Sequence, residues 1–133
     1  MRYLGTDPRK EYLRQGVMTA SPAELVAMLF GAAVKNLKLA IMAYEDSKDI
    51  CTTNDCLIKA QRVISELISS LDMNIELSAQ LARVYEFMLR ELRYANVHKD
   101  MKRVEPIIGM LESMRDTWKT VAQQQRKGMA EGF

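Results

Sequence analysis

The chain has 133 residues, of which 48% are hydrophobic and 27% are charged, with 19 basic against 17 acidic residues. These totals suit a single domain over residues 1–133 and exclude a disordered or fibrous chain. The two signs of charge are interleaved, so we expect no nucleic-acid surface. No apolar run reaches the ~18 to 20 residues of a membrane span, and the N-terminus lacks a signal-peptide core. We therefore expect a cytoplasmic protein without membrane insertion.

The chemistry-bearing residues are few. Cys51 and Cys56 have the wrong spacing for a C-x-x-C site, and His98 is the only histidine. There is no Glu-x-x-His pair, no glycine-rich phosphate loop and no serine elbow. We expect no metal, no cofactor and no enzymatic activity.

The first predicted elements are a mobile N-terminal segment and a capped helix. Residues 1–20 are expected to be extended or to form a short helix. Ser21 is followed by Pro22 and, three residues after the cap, by Glu24, which is the pattern of a capping box with proline at the first helical position. This pattern predicts a helix from Ser21 to about Asp46.

The second and third predicted helices are joined by a tight reversal. Thr53 or Asn54 is expected to cap a helix that runs to about Leu71. Residues 72–76 are too few for anything except a turn, so the two helices should be antiparallel neighbours. The third helix is predicted from Glu76 to Asn96.

The fourth predicted helix begins after Asp100 and continues to about Gln125, and residues 126–133 are expected to fray. Pro106 lies inside these bounds. A proline there either kinks the first turns or indicates that the helix begins later, near Val104 or Glu105.

Four amphipathic helices with short connections predict an all-α fold, an antiparallel up-and-down four-helix bundle over residues 21–125. Each helix should bury one stripe. The predicted core is Leu25, Met28, Leu29, Ala32, Leu39, Ala43, Leu57, Ala60, Ile64, Leu67, Ile68, Leu71, Leu77, Leu81, Val84, Met88, Leu92, Ala95, Val104, Ile107, Ile108, Leu111, Met114, Trp118 and Val121.

A second apolar face is also predicted beside the core stripe of the first helix. It comprises Val26, Phe30, Leu37, Ile41 and Tyr44, and Ile58, Phe87 and Tyr94 lie outside the core stripes of their own helices. One interpretation is a central helix with several neighbours, with the N-terminal segment folded across the remaining groove. The other is a groove for an amphipathic partner helix, which the ten methionines favour because their side chains repack easily.

The ordered motifs resemble those of the FliS family of flagellar secretion chaperones. The resemblance covers about residues 12–122 and rests on three stretches. They are YLRQGVMTASPAELVAMLF from Tyr12, LIKAQRVISELISSLDMNIELSAQLARVYEFMLREL from Leu57 and MRDTWK from Met114.

That resemblance implies a non-enzymatic, cytoplasmic chaperone of type III export. Such a bundle binds the disordered C-terminal segment of flagellin in apolar clefts and prevents premature polymerisation. The resemblance also implies that the segment around Tyr12 covers the cleft and contacts the export-gate protein FlhA. It leaves open a homodimer, a co-chaperone and the identity of the flagellin.

Binding residues are carried over from the family only at matching positions. The expected partner-binding residues are Tyr12, Ile58, Gln61, Ser65, Ile68, Phe87, Arg90, Tyr94 and Asn96. The alternative is a helical-bundle adaptor for a different secreted or regulatory protein.

Overall fold

The computed structural model describes the backbone of residues 19–131 and the side chains as far as residue 129. The predicted mobile segment, including Tyr12, therefore lies almost wholly outside the described residues. The described chain confirms the predicted all-α four-helix bundle. Its elements are α1 (Pro22–Ser47), α2 (Ile50–Ser69), α3 (Glu76–His98), a 3-10 turn (Met101–Arg103) and α4 (Val104–Glu131).

The start of α1 is the predicted one. The Ser21 hydroxyl accepts a hydrogen bond from the Glu24 backbone N–H at 3.2 Å, and Pro22 occupies the first turn. The Glu24 carboxylate lies 3.2 Å from the Ser21 hydroxyl, so it bonds the cap side chain. At the other end Lys48 has a φ of 52° in the left-handed region, which lets its N–H reach back to the α1 carbonyls.

The start of α2 differs from the prediction. The helix begins at Ile50, four positions before Asn54, because Asp49 is its cap. The Asp49 carboxylate accepts bonds from the Thr52 N–H at 3.0 Å and the Thr52 hydroxyl at 2.7 Å. The Thr53 hydroxyl is buried and donates to the Asp49 carbonyl at 2.8 Å. The polar residues that suggested a loop thus satisfy one another inside the first helical turn.

The prediction for α3 is confirmed at its start, Glu76, and the helix ends at His98, two positions beyond Asn96. A loop of six residues after Ser69 makes the reversal.

The fourth helix follows the second of the two predicted alternatives, since it begins at Val104. Pro106 is therefore in its first turn, where the missing N–H has no helical partner to lose. Asp100 makes no cap bond and instead lies 3.6 Å from Arg103. The helix continues to Glu131, so residues 126–131, which were predicted to fray, are helical.

Ion pairs fix the relative direction of α1 and α4. Lys38 Nζ lies 3.1 Å from Glu112 Oε2, and Glu24 near the start of α1 pairs with Arg126 near the end of α4. Residue numbers rise along α1 as they fall along α4, so the two helices are antiparallel. α1 also packs on α2. The Phe30 and Tyr85 rings, 6.3 Å apart between centroids, connect α1 to α3.

The core follows the prediction at most positions of α2 and α4, and it differs on α1 and at the start of α3. The predicted core residues that are buried are Leu57, Ala60, Ile64, Leu67, Met88, Leu92, Ala95, Val104, Ile107, Ile108 and Leu111. Leu25, Met28, Leu39 and Leu77 are exposed, so their assignment to the core was wrong.

On α1 the buried face contains residues of the second apolar face, which was predicted to lie outside the core. Phe30 and Leu37, predicted to lie outside the core, are wholly buried, together with a row of small residues that includes Ala33 and Ala40. Small side chains allow neighbouring helices to approach closely, so this face packs against the rest of the bundle. The face led by Leu25 therefore points outward.

α1 also corrects the expectation about apolar runs. Within residues 19–131 it is the one helix that is long and apolar enough to cross a membrane by length and composition. Part of its apolar character has an explanation in the bundle, because α1 packs on both α2 and α4 and its Phe30 ring meets Tyr85 of α3.

Candidate partner-binding surfaces

A shallow groove between α2 and α3 brings together three of the predicted binding residues. This α2–α3 groove has a volume of about 450 Å³, and Ile58, Gln61 and Ser65 lie along it. The remaining lining residues are charged or polar, namely Arg62, Glu66, Ser69 and Arg93. The groove thus offers one apolar side chain among hydrogen-bonding groups, which suits an amphipathic segment better than an apolar ligand.

The charged side chains of this groove are available to a partner. Among the described residues no salt bridge joins Arg62, Glu66 or Arg93 to another side chain. Ile68, predicted for the same surface, is half-buried against the core and does not line the groove.

The aromatic residues predicted on α3 lie on a different side of that helix. Successive helical residues are ~100° apart, so Tyr94 points away from its neighbour Arg93 in the groove. Tyr94 and Phe87 are seven residues apart on one line, with exposed fractions of 42% and 41%. Arg90 is exposed on the same helix.

Tyr94 is the centre of an intramolecular cluster. The His98 ring centroid is 4.1 Å from its ring, and the Arg103 guanidinium lies over the ring at 3.8 Å. Arg103 also pairs with Glu91 at 3.2 Å and with Asp100 at 3.6 Å. These contacts tie the 3-10 turn to the end of α3, so Tyr94 has a structural role beside any role in binding.

The Asn96 side chain also makes hydrogen bonds within the chain. Its Nδ2 donates to Asn54 Oδ1 at 2.8 Å, and its Oδ1 accepts from Lys99 Nζ at 2.7 Å. The Asn54 contact joins α2 to α3 just beyond the groove. Asn96 therefore positions the two helices that form the groove.

The structure adds a surface that the sequence prediction placed in the core. Leu25, Met28, Leu39 and Met42 form the outward stripe of α1, with exposed fractions of 37%, 40%, 40% and 56%. Leu25, Met28 and Leu39 were expected to be buried. Leu25 and Met28 are three residues apart, as are Leu39 and Met42, and the second pair follows the first by two heptads. This spacing could have identified the four residues as one line.

A second groove lies beside this stripe, between α1 and α4. This α1–α4 groove has a volume of about 490 Å³. Its lining residues are Glu24, Ala27, Met28, Gly31, Arg115, Lys119, Ala122, Gln123 and Arg126. Met28 belongs to both the groove and the stripe, so the two form one continuous surface. The absence of a side chain at Gly31 helps to keep the groove open.

Comparisons with known proteins agree with the motifs. Residues 5–125 match the family model described as flagellar protein FliS. The chain is 39% identical over 121 residues to the flagellar secretion chaperone FliS of Bacillus subtilis, covering 91% of this chain and 90% of that protein. It is 31% identical over 113 residues to the Salmonella typhimurium chaperone of the same name, with 83% of each chain covered. The Escherichia coli chaperone is 32% identical over 110 residues, with 80% of each chain covered.

Proposed function

The chain belongs to the FliS family of flagellar proteins, and on that premise we propose that it is a cytoplasmic flagellar secretion chaperone. Its client is the C-terminal segment of flagellin, which it holds as helices against apolar surface until type III export. The export-gate protein FlhA is the receiving partner, and the segment that contains Tyr12 makes that contact.

The observation that carries this proposal is the amount of apolar surface on a well-packed bundle. The core is complete without the outward stripe of α1, and Phe87 on α3 is also left exposed. Apolar side chains arranged in lines at helical spacing are typical of surfaces that bind amphipathic helices. A client that covers them gains ~25 cal/mol for each Å² of apolar area removed from water.

A disordered client requires surface of this kind. Its ordering on binding costs free energy, so a long contact is needed to offset that cost. Met28 and Met42 are exposed on the stripe, and methionine side chains adapt to apolar partners of different shape. The α2–α3 groove adds hydrogen-bonding groups, which fix the direction of a bound segment.

The test is binding of a purified flagellin fragment. We expect the last ~50 residues of Bacillus subtilis flagellin to form a one-to-one complex with the protein and to gain helicity on binding, with a micromolar or lower dissociation constant. Fluorescence anisotropy measures the affinity, and circular dichroism measures the helicity. A fragment that stays free at tens of micromolar protein would refute the proposal.

Surface variants show whether the contact is specific. Phe87→Ser removes an exposed aromatic side chain and should weaken binding about tenfold, since burial of such a ring is worth ~1.5 kcal/mol or more. Val97→Ser is the matched control on the same helix, because Val97 is 78% exposed. It should change the affinity less than twofold. Equal losses in the two variants would indicate non-specific association.

A further inference from the structure

The outward stripe of α1 has the geometry of one half of a helix pair. Leu25 and Leu39 are two heptads apart, and so are Met28 and Met42. At ~1.5 Å per residue the stripe is about 25 Å long. Lys35 lies on the same line, seven residues after Met28 and seven before Met42, and is exposed. Such a line accepts the apolar side chains of one partner helix over several turns.

The charge beside the stripe is mainly positive. Arg115, Lys119 and Arg126 line the adjoining α1–α4 groove, against a single acidic side chain, Glu24. Glu24 is already paired with Arg126. Within the described part of the chain, neither Lys35 nor Lys119 takes part in a salt bridge. Two cations next to the stripe are therefore free to pair with a partner's carboxylates.

The position of Lys35 argues against a second copy as the occupant. Lys35 lies near the middle of the stripe, so twofold pairing of two α1 helices would bring the two Lys35 ammonium groups together. Like charges at such a contact oppose association. A helix that carries acidic residues beside its apolar side chains meets both requirements of this surface.

We propose that the outward stripe of α1 binds an acidic amphipathic helix of the export client. Apolar client residues at three- and four-residue spacing pack between Leu25, Met28, Leu39 and Met42. Client carboxylates pair with Lys35 within the stripe and with Lys119 across the α1–α4 groove. This inference rests on the proposed function, and it adds the chemical class of client helix that α1 selects.

The α2–α3 groove shares no residue with this surface. One client segment therefore contacts the bundle at two separate places. Loss of the α1 contact should weaken the complex without abolishing it, because the groove contact persists.

The experiment uses two synthetic helical peptides of about 22 residues, the length that spans the stripe with a turn to spare. One has leucines at helical spacing flanked by glutamates, and its twin has lysines in place of every glutamate. The wild-type protein should bind the glutamate peptide at least tenfold more tightly, and added salt should reduce the difference. Equal affinities for the two peptides would overturn the proposal.

Charge-reversal variants locate the contact. Lys35→Glu combined with Lys119→Glu should lower affinity for the glutamate peptide at least tenfold and raise it for the lysine twin. Val97→Ser on α3 is the control and should match the wild type. Unaltered peptide selectivity in the double variant would place the binding elsewhere and overturn the proposal. The proposal would also be overturned if neither peptide bound, while the protein bound anionic vesicles or associated with itself in a way that depended on the same two lysines.

The flagellin fragment separates this inference from the proposed function. Both proposals are supported if the fragment binds the wild type and its affinity falls at least fivefold in the double variant Met28→Ser with Leu39→Ser. Equal binding by the wild type and this double variant overturns the α1 contact and leaves the chaperone function standing. No binding to the wild type refutes the chaperone function itself. Both substituted side chains are exposed, so the thermal midpoint should stay within a few degrees of the wild type.

Discussion

Replacement of Gly31 by alanine should stabilise the bundle, although the position lies against another helix. Gly31 is in the interior of α1, where glycine costs ~1 kcal/mol relative to alanine because its backbone is freer in the unfolded chain. A Cβ at this position would lie 3.8 Å from Arg115 Cδ, an ordinary van der Waals distance. The contact therefore adds no strain, and we expect a gain of ~0.5–1 kcal/mol.

Urea denaturation followed by circular dichroism measures this gain. The midpoint should rise with the slope unchanged, since the exposed area of the unfolded chain is the same. Gly109→Ala on α4 is the matched control, because a Cβ there meets nothing within 4 Å. A stabilisation at position 109 but a loss of 1 kcal/mol or more at position 31 would refute the reasoning, since it would mean that α1 and α4 pack more closely than described.

Three further substitutions test the helix starts and the core by the same denaturation assay. Ser21→Ala should cost ~1 kcal/mol through loss of the α1 cap, and no loss would contradict the capping assignment. Phe30→Ala should lower the free energy of unfolding by ~3–5 kcal/mol because the ring is wholly buried. A loss below ~1 kcal/mol would contradict the burial of Phe30. The bonds from Thr52 hold the pKa of Asp49 below its ordinary value of 3.8. The cap's contribution is therefore present above that pH and lost as the pH falls through the lower, folded-state pKa. Asp49→Asn should therefore destabilise at about pH 6, and its effect should shrink as the pH falls below 3.8.

The helices could be predicted from local patterns wherever polar and apolar faces were distinct. The Ser21 cap and the short reversal after α2 marked two boundaries correctly, and the core positions of α2 and α4 followed from their stripes. The start of α2 was missed because Asp49, Thr52 and Thr53 resemble a loop by composition. Their mutual hydrogen bonds, which make them a helix start, depend on the three-dimensional arrangement.

The orientation of α1 could not be predicted by the same argument. This helix is apolar around much of its surface, so hydrophobic periodicity does not decide which face is buried. Burial favours Phe30 and the small residues around it, because α1 packs on α2 and α4 and must approach both of them closely. The larger Leu25, Met28 and Leu39 consequently lie on the outer face of α1. The candidate partner surface is therefore on a different side of α1 from the predicted one.

The candidate site was predicted in part. Ile58, Gln61 and Ser65, which were carried over from the family resemblance, line one groove, and their binding role stays a prediction. Tyr94 and Asn96 also satisfy contacts within the chain, which sequence spacing could not reveal because their partners lie on other elements.

The heat-capacity change on binding tests the central claim most directly, namely that exposed apolar lines on the bundle are covered by an ordering client. Calorimetric titration of the flagellin fragment at several temperatures gives this quantity. We predict a clearly negative value, reduced in magnitude when Met28 and Leu39 are both replaced by serine. Saturable binding with a heat-capacity change near zero would contradict the account, because it would mean that polar contacts alone hold the client.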